Sequence, residues 1–231
     1  MTVLRPTSAT LRRHMTAIAA ALVLSLAAPA SALTVRIDFE DDSGTPAAGW
    51  NMFDSTDSGA TLDLIDTTGA DSGIDIRMPN VFDNNGAFDG WDTASNPLPG
   101  WAPDEVADDY VYSTSLNTNF YFYGLDVTLT YDITLIVSRD LDRTQSMRLF
   151  TGAGNLNENG WNSQADGYVA GNVVSFIGVT PRADGSLRLR LRRVGSASSN
   201  LNAVQIQSVP EPARLGLLAA SAVLLGALRR R

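Results

Sequence analysis

Leu187, Leu189 and Leu191 alternate strictly with Arg188, Arg190 and Arg192, and this two-residue period constrains the fold more than any other feature of the chain. Successive side chains of a strand point to opposite faces, so the stretch reads as a strand with one apolar and one cationic face. The period recurs. Val35, Ile37 and Phe39 alternate with Arg36, Asp38 and Glu40, and Tyr131, Ile133, Leu135 and Val137 alternate with Asp132, Thr134 and Ile136. Met147 with Leu149, and Val174 with Phe176, continue it. Weaker strands are predicted near Thr61–Asp66, Ile74–Met78, Tyr110–Ser113, Phe120–Leu125 and Leu201–Gln207. Between the two ends no stretch sustains apolar spacing at three and four, and Gly, Asn, Asp and Pro separate the runs. The expected fold class is therefore all-β, an antiparallel β-sandwich with one buried and one solvated face per sheet. The stretch from Asn80 to Asp109 holds no convincing strand, and loops of that length are functional or disordered.

The ends differ in kind. Arg5, Arg12, Arg13 and His14 precede an apolar core from Ala17 to Ala28, and Ala30-Ser31-Ala32 forms a small-x-small site before Leu33. That is the pattern of a secretory signal helix cut by signal peptidase between Ala32 and Leu33. At the other end Pro210-Glu211-Pro212 leads into an apolar run from Leu215 to Leu228, closed by Arg229-Arg230-Arg231. As a helix the run reaches about 21 Å, short of a hydrocarbon core of about 30 Å. Snorkelling arginines relieve part of the mismatch. The cations act as a stop on the cytoplasmic side, which places everything before them outside. The expected organisation is a signal peptide over 1–32, a sandwich domain over 33–207 and a short membrane helix with its flanking motifs over 208–231.

Pro-Glu-Pro, a short Leu/Ala/Gly-rich helix and a terminal basic cluster together resemble the PEP-CTERM sorting signal. The resemblance covers Val209 to Arg231. It implies recognition of Pro210, Glu211 and Pro212 by exosortase, an integral-membrane cysteine transpeptidase, with Arg229, Arg230 and Arg231 as the stop. It further implies export in a Gram-negative bacterium that makes exopolysaccharide. An ordinary C-terminal membrane anchor is the alternative.

Without its ends the chain keeps ten arginines against 24 acidic residues, near −14. Nucleic acid and anionic lipid are poor partners for so acidic a surface. Neutral sugars, cations and calcium-bridged polymers remain open. Cysteine is absent, every one of the 17 cations is arginine, and the single histidine, His14, lies in the signal. Thiolate nucleophiles, Schiff bases, Ser-His-Asp triads and histidine-ligated metals are thereby excluded from the central domain. No organic cofactor is implied.

A second resemblance covers most of that domain. Val35-Arg-Ile-Asp-Phe-Glu40, Gly124-Leu125, Tyr131-Asp-Ile-Thr-Leu135, Ser138-Arg139, Asn172-Val-Val-Ser-Phe176, Pro181 to Gly185 and the closing Leu201-Asn-Ala-Val-Gln-Ile206 look like the galactose-binding-like jelly rolls of surface proteins and carbohydrate-binding modules. It implies a last strand lying beside the first. No ligand residue transfers by position.

Candidate site residues follow from side-chain chemistry. Four tryptophans, Trp50, Trp91, Trp101 and Trp161, have turn-forming neighbours. A flat indole on a loop can stack on a pyranose face while a neighbouring carboxylate takes the hydroxyls. Trp91 with Asp92, and Trp101, are the stronger carbohydrate-binding candidates; the alternative is that the rings plug the ends of the sandwich. Glu40, Asp41 and Asp42 offer the oxygens that calcium requires, without EF-hand spacing, and family likeness slightly favours a structural calcium there. The stripe Arg188, Arg190 and Arg192 could grip uronate or sulfate, although pairing with aspartates on adjacent strands is the commoner arrangement. Carboxylates are too numerous for any glycosidase pair to stand out. The expected function is a non-catalytic surface or matrix protein that binds or embeds in extracellular polysaccharide. A small Asp/Glu-dependent polysaccharide-modifying enzyme and a ligand-free structural matrix protein are the alternatives.

Overall fold

The computed structural model describes residues 32–39, 47–53, 57, 59–79, 84–87, 99–103, 106, 109–137, 143–163, 173–195 and 198–209; for 84–87, 109, 143 and 157–163 the description is of the backbone alone. Ala30, Glu40–Asp42, Trp91, Asp92, Pro210–Pro212 and Arg229–Arg231 lie outside these residues, as do both expected terminal helices. Among the described residues no helix is long and apolar enough to cross a membrane.

In chain order the strands are β1 (Thr34–Asp38), β2 (Asn51–Met52), β3 (Thr61–Ile65), β4 (Asp71–Arg77) and β5 (Asn84–Ala87). Next come β6 (Asp109–Ser113), β7 (Asn117–Tyr123), β8 (Thr130–Ile136), β9 (Arg143–Phe150) and β10 (Asn155–Ser163). β11 (Val173–Val179), β12 (Leu187–Arg193), β13 (Ser199–Leu201) and β14 (Ala203–Val209) follow. They form a five-stranded sheet ordered β11-β8-β14-β1-β2, a six-stranded sheet ordered β10-β9-β12-β7-β4-β3, and a small sheet β13-β6-β5. Every pairing is antiparallel except that of β1 with β2. These strands form one compact unit, Ala32–Val209. The last strand, β14, does lie beside β1, with Val35 opposite Ile206.

The period-two runs explain why two sheets close on each other. Val35, Ile37, Ile133, Leu135, Val174, Phe176, Val204 and Ile206 from the five-stranded sheet share one buried cluster with residues of the six-stranded sheet. The latter are Ile74, Ile76, Phe120, Phe122, Met147, Leu149, Leu187, Leu189 and Leu191. Each fully buried leucine of β12 contributes about 2 kcal/mol of apolar transfer. Phe39 meets Phe53 and Phe120 at centroid distances of 5.5 and 5.3 Å. One edge of the sandwich is fastened by Asn51. Its Nδ2 donates to the carbonyls of Arg36 and Ile65, and its Oδ1 accepts from the Ile65 N–H. Leu33 is tied to the opposite end of β14: its N–H donates to Ser208 Oγ, and its carbonyl accepts from the Ser208 N–H.

Three turns share one device. Asp66, Asp126 and Asp184 each accept, through Oδ1, the backbone N–H and the hydroxyl of the residue two ahead, Thr68, Thr128 or Ser186. These bonds favour the charged carboxylate and hold all three acids below the usual range. Gly124 has a φ of +77°, and a Cβ there would collide with the Gly73 carbonyl oxygen, so the turn after β7 requires glycine.

Three sequence expectations are corrected. β5 falls inside the stretch expected to lack strands; Asn84–Ala87 has no β-branched residue, and backbone pairing with β6 makes it a strand. β10 is Asn-rich and was not foreseen either, so Trp161 lies on a strand rather than a loop. Its ladder with β9 is interrupted by a bulge between Glu158 and Trp161. The predicted strand Leu201–Gln207 is two strands, divided at Asn202, whose N–H donates to the Ile136 carbonyl while its own carbonyl accepts from Phe39.

Candidate functional site

β12 occupies an interior position of the six-stranded sheet, so its outward side chains have neighbours on both sides. The register places Thr61, Arg77, Tyr121, Arg188, Phe150 and Asn155 in one row across all six strands. Asn119, Arg190, Arg148 and Asn157 form the next row, and Asn117, Arg192 and Ser146 the one after. Leucines of β12 face the core, so the described side chains of these rows face outward. Tyr121 and Tyr123, two apart on β7, hold their rings 8° from parallel with centroids 6.2 Å apart.

The arginine stripe does not do what its acidic context suggested. Its cross-strand neighbours are Tyr121, Asn119, Asn117, Phe150, Arg148 and Ser146, none of them a carboxylate. Three guanidinium groups instead gather over the Phe150 ring, Arg188 at 3.6 Å, Arg190 at 5.1 Å and Arg148 at 5.8 Å from its centroid. The ring's negative face attracts cations, and this keeps Phe150 only 8% exposed on a face that otherwise meets water. Burial, and then the charges of Arg148, Arg188 and Arg192, hold the Arg190 guanidinium below the usual arginine range. Arg188 Nε is buried and has no hydrogen-bond partner among the described residues.

The far corner of the face is acidic. Asp63 and Asp75 are directly opposite on β3 and β4, and Asp75 also faces Tyr123. Burial first, then Asp63 and Asp71, push the Asp75 carboxyl above its usual range. Among the described residues no group of three or more acids, histidines or cysteines is placed to hold a metal ion.

Of the candidate tryptophans, Trp101 is described and half-buried. It stacks on Trp50 at 5.9 Å with 24° between the planes, and Arg36 lies 5.7 Å over the Trp50 ring. Trp50 is 4% exposed and packs with Ala102, Val106, Ile136 and Ala203. The structure thus brings Trp101 to Trp50, away from the arginine face; Trp91, Asp92 and the Glu40–Asp42 cluster fall outside the described residues. Sequence reasoning missed Tyr121, Tyr123 and Phe150. Their signal was present in the outward phase of β7 and β9, where large aromatic rings stand at solvent-facing positions.

No family model matches the chain, and no curated protein matches it. Several solved structures are similar in part. A low-affinity xylan-binding module, CBM86, of Roseburia intestinalis has 13% identity and a TM-score of 0.28, covering 45% of this chain and 81% of the module. The CBM35 of Paenibacillus barcinonensis has 12% identity and a TM-score of 0.30, covering 64% of this chain and 98% of that one. The CBM22-1–GH10 portion of a Clostridium thermocellum endo-1,4-β-D-xylanase, complexed with xylohexaose, has 15% identity and a TM-score of 0.25. The match covers 46% of this chain and 20% of that structure. At such TM-scores these likenesses carry no argument about ligand or activity.

Proposed function

We propose that this chain is an exported, non-catalytic surface or matrix protein whose sandwich binds extracellular polysaccharide on the outer face of its six-stranded sheet. The observation that carries the reading is the parallel pair Tyr121 and Tyr123 on the outer face, with Arg188, seated over Phe150, directly opposite Tyr121. Rigid rings offer apolar area to pyranose faces at small entropic loss, and the asparagines and guanidinium groups beside them meet hydroxyls. The strand order β1-β14-β8-β11 against β7-β12-β9-β10 is that of interleaved Greek keys and supports reading the sandwich as a jelly roll. Trp101 on its Trp50 support is a second aromatic surface, and Trp91 and Asp92, outside the described residues, are further proposed sugar contacts. The signal peptide, the Pro210-Glu211-Pro212 motif and the Arg229–Arg231 stop support export, with signal peptidase and exosortase as processing partners and the envelope or matrix of a Gram-negative bacterium as destination. A structural calcium at Glu40–Asp42 is part of the same proposal, tested by a rise in melting temperature on adding calcium to chelator-treated protein. Binding on a glycan array, assayed together with release of reducing ends, tests the function. Saturable binding without new reducing ends supports it, new reducing ends support the Asp/Glu enzyme, and silence in both supports a ligand-free matrix protein.

A further inference from the structure

We infer that the outer face of the six-stranded sheet selects polysaccharides that carry anionic groups, uronate carboxylates or sulfate esters, through Arg188, Arg190 and Arg192. The inference rests on the polysaccharide-binding reading and names its ligand class.

Charge distribution is the first argument. The central domain holds ten arginines against 24 acids, yet five of the ten, Arg77, Arg148, Arg188, Arg190 and Arg192, share this one face. Local geometry is the second. Arg190 and Arg148 are directly opposite on neighbouring strands, an arrangement that like charges make unfavourable. Arg188 and Arg192 flank Arg190 along β12, and none of these three stripe arginines has a carboxylate partner among the described residues. The Phe150 ring, closest to Arg188, offsets part of the repulsion within the stripe, and an anion seated between Arg188 and Arg190 would lower it further. The third argument is Arg188 itself, whose guanidinium is seated 3.6 Å over the Phe150 ring and so pre-positioned on the face for oxyanion contacts.

The whole domain is negative, so it does not steer polyanions from afar. Selection must act within a Debye length, about 8–10 Å at physiological salt. Asp63 and Asp75 lie beyond Tyr123, on the side of Tyr121 away from Arg190. They confine an anion to the β7–β12–β9 part of the face.

The test uses the full-length chain with four probes, polygalacturonate, its methyl ester, dextran sulfate and unmodified dextran. Affinity for a charged polymer at least tenfold above that for its uncharged counterpart is expected, and the pair that shows it identifies the anion. Arg190→Gln should lose that preference while its ligand-free melting temperature stays equal or rises. Equal affinity for charged and uncharged partners overturns the inference and leaves polysaccharide binding standing. An unchanged preference in Arg190→Gln, or a lower melting temperature, overturns the assignment of these arginines. No binding to any probe, with a silent glycan array, overturns both readings.

Discussion

Single positions carry the sharpest consequences. Gly124→Ala places a Cβ against the Gly73 carbonyl oxygen in a backbone conformation that disfavours side chains. It is expected to cost about 2–4 kcal/mol in urea unfolding, more than the usual glycine-to-alanine change. Leu189→Ala, at a fully buried site facing the opposite sheet, is expected to cost about 3 kcal/mol. Asp75→Asn acts in the other direction. It removes a charge opposite Asp63, and thermal melting at neutral pH should show a gain of about 0.5 kcal/mol. Which of these positions the sequence revealed depends on period. Leu187, Leu189 and Leu191 announce themselves by alternation. Gly124 does not, because its need for positive φ arises only when the turn brings Gly73 beside it.

At the scale of elements, one side chain ties the small sheet to β9. Gln145 on β9 is fully buried; its Nε2 donates to the Asn200 carbonyl and its Oε1 accepts from the Asn200 N–H. Gln145→Ala leaves both backbone groups of Asn200 without that partner, at about 2 kcal/mol. Hydrogen exchange should quicken first in β13 and β6, before β12 and β14; uniform quickening across all strands would count against this role. The strands that sequence reasoning found are those whose faces differ in polarity, such as β1, β8 and β12. β5 and β10 escaped because Asn84–Ala87 and the Asn-rich run from Asn155 gain strand structure from neighbours, and no single-strand pattern encodes pairing. The arginine face shows the same limit. Alternation placed Arg188, Arg190 and Arg192 on one side, but register alone decided that aromatic rings and Arg148, rather than aspartates, would flank them.

At the scale of the molecule, pH dependence follows from the turns. Asp66, Asp126 and Asp184 have folded values below their unfolded ones. Their contribution is present above the unfolded carboxylate range, about pH 3.9, and is lost as pH falls through the folded values. Asp75 has the opposite sign. Its folded value is raised, so stability increases as pH falls through it, and Asp75→Asn should remove that increase. Melting temperatures from neutral pH down to about pH 3 are expected to pass through a shallow maximum and then fall, the fall persisting in Asp75→Asn. Export is tested separately by fractionating cells and sequencing the chain's termini; a mature protein beginning at Leu33 is expected, and an intact cytosolic chain would contradict it. The central claim concerns one face of one sheet. Hydroxyl-radical footprinting with a bound polysaccharide reads it side chain by side chain. Protection of Tyr121 and Tyr123 is expected; protection confined to Trp50 and Trp101, or no protection at saturation, would contradict the assignment of this face.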